Sequence, residues 1–87
     1  MDKYKTSFSL PAVLSRDDSV RLVQLAMRYE SDIYIQFERY CANAKSMLGV
    51  ISIPLKAGKE VELRATGRDA NEAITELSRF LQQRGNP

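Results

Sequence analysis

Three segments of this chain alternate residue by residue between apolar and polar side chains, and that alternation limits the fold more than any other feature. In "DKYKTSFS", residues 2–9, Tyr4, Thr6 and Phe8 share one side, while Lys3, Lys5 and Ser7 share the other. In "DIYIQF", Ile33, Ile35 and Phe37 fall together. In "EVELRAT", Val61, Leu63 and Ala65 oppose Glu62, Arg64 and Thr66. A period of two marks a strand with one buried face. Strands buried on both faces read instead as continuous apolar runs. The segments therefore predict an antiparallel sheet with one face on a core and the other in water.

The cover for that core is written between the strands. From Ser15 the pattern turns helical, with Val20, Val23 and Met27 in one row and Leu22, Ala26 and Tyr29 in the next. Leu10 to Leu14, which include Pro11, read as the loop before it, and Glu30 to Asp32 close it. A short strand over Tyr40 to Ala42 returns through a Glu38-Arg39 turn that lacks the usual Asn-Gly signal. Ser46 can cap a brief helix in "KSMLGVIS", whose Met47, Leu48 and Ile51 would face the core, and Gly58 marks a turn. The clearest helix lies in "GRDANEAITELSRFLQQRG". Asp69 sits at its cap position and Glu72 at the capping-box position. Ala70, Ala73, Ile74, Leu77 and Leu81 form its stripe, helped by Phe80, and Gly85 and Pro87 end it. The order β-α-β-β-α-β-α predicts an α+β open-faced sandwich, a four-stranded antiparallel sheet with three helices on one face. At 87 residues and 44% hydrophobic, with no repeat or linker, it reads as a single domain over residues 1–87.

Several functions are excluded or made unattractive by what the chain lacks. It has no His, which removes His metal ligands, His general bases and phosphohistidine together. No metal site and no cofactor is expected. A net charge of +2 with interspersed signs gives no reason to expect direct nucleic-acid binding. No apolar run is long enough to span a membrane, and "MDKYKTSFSL" lacks a signal-peptide layout. The one cysteine, Cys41, allows no internal disulfide and fits a reducing cytoplasm. With no His to pair with it, Cys41 reads as packing rather than as a nucleophile.

Three strings resemble HPr, the small phosphocarrier family of the bacterial sugar phosphotransferase system. "LVQLAMRYESDIYI" resembles the family's first helix and second strand. "VELRATGRDANEAITEL" resembles its last strand and helix, and "NAKSMLGVISI" its regulatory serine segment. The last string is the most specific, and the match covers nearly the whole chain. The resemblance implies the open-faced sandwich just described and a small phosphocarrier or regulator rather than an enzyme. It also implies a phosphorylatable His followed by Ala-Arg-Pro at the start of the first helix.

Here that segment reads Ser15-Arg16-Asp17-Asp18, so the motif the carrier chemistry needs has changed. A helix start offers free N–H groups and a favourable dipole to an incoming phosphate. Ser15 would form a stable phosphoester, and Asp17 and Asp18 would repel a charge of about −2. Read by itself, Ser15 is a good N-cap, and Ser15 with Asp18 has capping-box spacing. An aspartyl phosphate on Asp17 or Asp18 would need a Lys and metal ligands that are not evident nearby. For Ser46 the resemblance implies modification by an HPr kinase/phosphorylase, after which the protein binds a catabolite-control repressor. Lys45, Met47, Leu48 and Ile51 match the family's interaction patch, whose usual Arg is Asp17 here; Arg16 is displaced from it by one residue. A branch of the family, Crh, lacks the His and keeps the serine, and the resemblance is to that kind of protein. The alternatives are a constitutive binding module of the same fold, or phosphotransfer through Ser15 or an aspartate.

Overall fold

A computed structural model describes residues 2–83. The elements follow in the expected order: β1 (Lys3–Ser9), α1 (Arg16–Ala26), β2 (Asp32–Phe37), β3 (Tyr40–Asn43), α2 (Met47–Ile51), β4 (Glu60–Thr66) and α3 (Ala70–Gln83). The strands form one antiparallel sheet in the order β1-β4-β2-β3. The alternation does what it predicts in β2 and β4, whereas on the edge strand β1 Thr6 and Phe8 are only half-buried and Tyr4 is 40% exposed. Ile33, Ile35, Phe37, Val61, Leu63 and Ala65 are buried, and their neighbours Tyr34 and Arg64 face water. All three helices lie on the buried side. The stripe of α3 packs on β1, β4 and β2, and α1 packs on both α2 and α3. Gly85 and Pro87, expected to end the last helix, lie outside the described residues.

The β2–β3 connection is a two-residue turn, because Phe37 pairs with Tyr40 across it. Glu38 takes φ 55° there, a conformation glycine or asparagine adopts more easily. The loop of residues 10–14 is less loose than its composition suggests. Leu10 is buried; its N–H donates to the Lys59 carbonyl, and its own carbonyl accepts from Gly58. Leu14 N–H donates to the Leu55 carbonyl at 3.4 Å, which ties the entry of α1 to the chain leaving α2.

Two expectations need correction. The first helix stops at Ala26, so Met27 is its C-cap and stands 64% exposed instead of extending the apolar row. The chain must leave the helix there to reach β2. The second concerns Asp69. Its carboxylate does not cap α3. It accepts from the backbone N–H of Glu30 at 2.9 Å, from that of Ser31 at 3.0 Å, and from the Ser31 hydroxyl. These bonds hold its carboxyl below the ordinary carboxylate range, the Ser31 hydroxyl contributing most. Gly67, φ 146°, makes the approach possible, since a Cβ there would fall 2.5 Å from Ser31 Oγ.

Candidate functional site

Two serines begin two helices on the covered side of the sheet. At the first, Ser15 has extended backbone (φ −74°, ψ 168°), which frees its side chain to turn back over α1. Its Oγ accepts from Asp18 N–H at 3.1 Å, and its own N–H donates to Asp18 Oδ2 at 3.3 Å. The capping box read from the spacing is thus present, with Asp in the position of Glu. Asp17 adds a second carboxylate to the same turn. A helix start stabilises an anion through N–H groups and dipole, and here the chain supplies its own anions to that field. Arg16 is exposed and, among the described residues, in no ion pair.

At the second start, Ser46 is also extended (φ −95°, ψ 110°), and its Oγ accepts from Gly49 N–H at 3.2 Å. Its own N–H donates to the Asn43 carbonyl, so no side chain reciprocates. No acid lies in the first turn of α2. Ser46 is exposed, and the cap leaves its hydroxyl at the surface. Gly49 belongs to this geometry: a Cβ there would sit 3.1 Å from Ser46 Oγ and 3.2 Å from Ala42 Cβ, so a side chain would crowd both the cap and the seat of α2 on β3.

The predicted neighbours of Ser46 divide. Val50, another apolar residue of this segment, anchors α2 in the core, and Ile51 is half-buried. Met47 is 37% exposed and Leu48 81%. Those two read at first as core; they are instead an apolar surface beside the serine. Lys45 is half-buried, and its Nζ donates to the Tyr29 carbonyl at 2.6 Å. That places the ammonium against the chain leaving α1. Val13, two residues before Ser15, is 65% exposed and was not singled out, because one apolar residue in a loop carries no periodic signal. Among the described residues no cluster of His, Cys, Asp and Glu could hold a metal ion, and no helix is long and apolar enough to cross a membrane.

Residues 14–83 match the family described as PTS HPr component phosphorylation site. The HPr-like protein Crh of Bacillus subtilis (strain 168) is 32% identical over 83 residues, covering 95% of this chain and 98% of that protein. The crystal structure of the phosphocarrier protein HPr from Bacillus anthracis str. Ames superposes with a TM-score of 0.84 at 29% identity, over 92% of this chain and 98% of that one. Crystalline Crh from Bacillus subtilis, a swapped dimer, gives a TM-score of 0.74 at 32% identity, over 95% of each chain.

Proposed function

The chain belongs to the HPr family, and on that premise we propose that it is a regulatory member that carries no phosphohistidine and is switched by phosphorylation at Ser46. The observation that carries this reading is the contrast between the two capped serines. Ser15 sits in a closed box with two carboxylates in its turn, whereas Ser46 is exposed at a start free of acids. The sequence holds no His at all, so the P–N chemistry of a carrier has no acceptor.

In this reading an HPr kinase/phosphorylase transfers phosphate from ATP to Ser46 Oγ. The phosphate then displaces the weak cap to Gly49 and meets the free amides of the first turn of α2. Met47, Leu48 and the exposed part of Ile51 give a partner an apolar surface beside the new charge, and Met adapts readily to such contacts. The partner is a catabolite-control repressor protein, and the setting is the bacterial cytoplasm. The chain acts by being bound, not as an enzyme. Arg16 and Lys45 complete the surface on its cationic side, with Asp17 opposing them where the family has Arg.

A second reading, a constitutive binding module, draws on one observation. The Lys45 ammonium is engaged by the Tyr29 carbonyl and is not held ready for a phosphate. Repressor binding separates the two. Under the first reading the kinase-treated protein binds more tightly than the untreated one, and Asp17→Arg strengthens that binding further. Equal binding before and after modification selects the constitutive module. Phosphotransfer through Ser15 or an aspartate has no such support, since the Ser15 hydroxyl and Asp18 are bonded to each other's amides.

A further inference from the structure

The face of the sheet that the helices leave bare carries an open groove of about 760 Å³, lined among others by Lys3, Lys5, Tyr34, Cys41, Arg64 and Thr66. We propose that this groove binds a mononucleotide, with its planar base on Tyr34 and its phosphate at Lys3 and Lys5. The proposal does not rest on the family reading, because the groove lies on the opposite side of the sheet from α1 and α2.

Register sets the geometry. Lys5, Arg64, Tyr34 and Asn43 stand side by side across β1, β4, β2 and β3. Adjacent strands lie about 4.8 Å apart, so the backbones of Lys5 and Tyr34 are roughly 10 Å apart with Arg64 between them. Lys3 is one step along β1 on the same face. A lysine stem then spans the interval between a ring resting on Tyr34 and a phosphate at the β1 edge.

The charges of the face divide into spoken-for and free. Arg64 is held on three sides. Its Nε pairs with Glu62 at 3.4 Å, and one terminal nitrogen donates to Gln36 Oε1 at 3.2 Å and to Cys41 Sγ at 3.6 Å. Its guanidinium is therefore engaged by neighbours on the same face, and Glu62 offsets its charge. Lys3 and Lys5, by contrast, are in no ion pair among the described residues. Tyr34 is 43% exposed at the centre of the face. An exposed ring with a guanidinium on the neighbouring strand offers a stacking surface, and two ammonium groups outside any ion pair suit a dianion. Asp32, in register with Thr66 at the far side of this end, repels phosphate and so confines it to the β1 edge. The volume lies within the range of small-molecule sites.

The probes are AMP, adenosine and inorganic phosphate, titrated separately into the ¹⁵N-labelled protein. AMP should shift the amides of Lys3, Lys5, Tyr34, Arg64 and Thr66, with a millimolar or tighter Kd. Adenosine alone and phosphate alone should each bind about tenfold more weakly. Lys3→Gln with Lys5→Gln, and separately Tyr34→Ala, should each weaken AMP by about tenfold. All three residues are exposed, and an unchanged melting temperature confirms that the variants fold. Absence of shifts at these amides, AMP shifts confined to other residues, or equal binding of adenosine and AMP would overturn the proposal. So would AMP affinity unaltered by Tyr34→Ala.

Discussion

The starts of α1 and α2 use the same cap in opposite electrostatic settings. Each begins with an extended serine whose Oγ accepts from the amide three residues on. At α1 that amide belongs to Asp18, whose carboxylate returns the bond, and Asp17 stands beside it. At α2 it belongs to Gly49, which has nothing to return. Helix starts attract anions whether the anion is a side chain or a phosphate. What decides the use of each is therefore the residue three places along. A carboxylate there satisfies the helix internally; a glycine leaves room for an external charge.

The strongest way to break this comparison is to give α1 an acceptor. Ser15→His should still receive phosphate poorly from the phosphoenolpyruvate-driven enzyme. Replacing Asp17 and Asp18 in that background should raise the rate by about fivefold for each charge removed, taking about 1 kcal/mol per close surface charge. Efficient transfer to Ser15→His alone would show that the two acids do not close the site.

Next in size is a test of the third helix start, where the carboxylate is directed elsewhere. Asp69→Ala should lower the denaturant midpoint at neutral pH more than either serine-cap deletion, because it removes three bonds that tie α3 to the entry of β2. Asp69 ionises more readily folded than unfolded. Its contribution is thus present above the ordinary value near 3.8 and is lost as pH falls through the depressed folded value. Wild type and variant should converge in strong acid. A gap that persists there would assign the effect to packing.

Smaller effects sharpen the contrast of the two serines. Gly49→Ala should destabilise by about 1 kcal/mol, crowding at Ser46 Oγ and Ala42 outweighing the helix propensity of alanine. Ser15→Ala should cost about 1 kcal/mol, since it opens a reciprocal box on an eleven-residue helix. Ser46→Ala should cost roughly half as much, at the low end for a cap, because the bond is single and the helix has five residues. Equal costs in chemical denaturation would mean that the returning carboxylate of Asp18 adds nothing.

What could be read from the sequence was what is local and periodic. The alternation of Ile33, Ile35 and Phe37 and of Val61, Leu63 and Ala65 gave the sheet its buried face. The three-residue spacing from Ser15 to Asp18 gave the box. Asp69 shows where that reasoning stops. Its spacing to Glu72 suits a cap, yet its partner Ser31 is 38 residues away, and only the tertiary fold brings the two together. Lys45 is a similar case, with its ammonium on Tyr29 sixteen residues back. Leu10, Ala44, Ile53 and Leu55 are buried in connections, where no period announces them. Leu48 was placed in the core because a helix of five residues is too short for its stripe to be read.

The central claim is that phosphate is accepted at α2 and refused at α1, and one preparation of the protein tests both halves. It is offered ATP with an active HPr kinase, and separately phosphoenolpyruvate with the phosphotransferase enzyme. Intact mass and site mapping then read the outcome. The account predicts one phosphate from ATP, located on Ser46 and absent from Ser46→Ala, and none from phosphoenolpyruvate. Phosphate on Ser15, Asp17 or Asp18 from either donor, or an unmodified Ser46 under an active kinase, would contradict it.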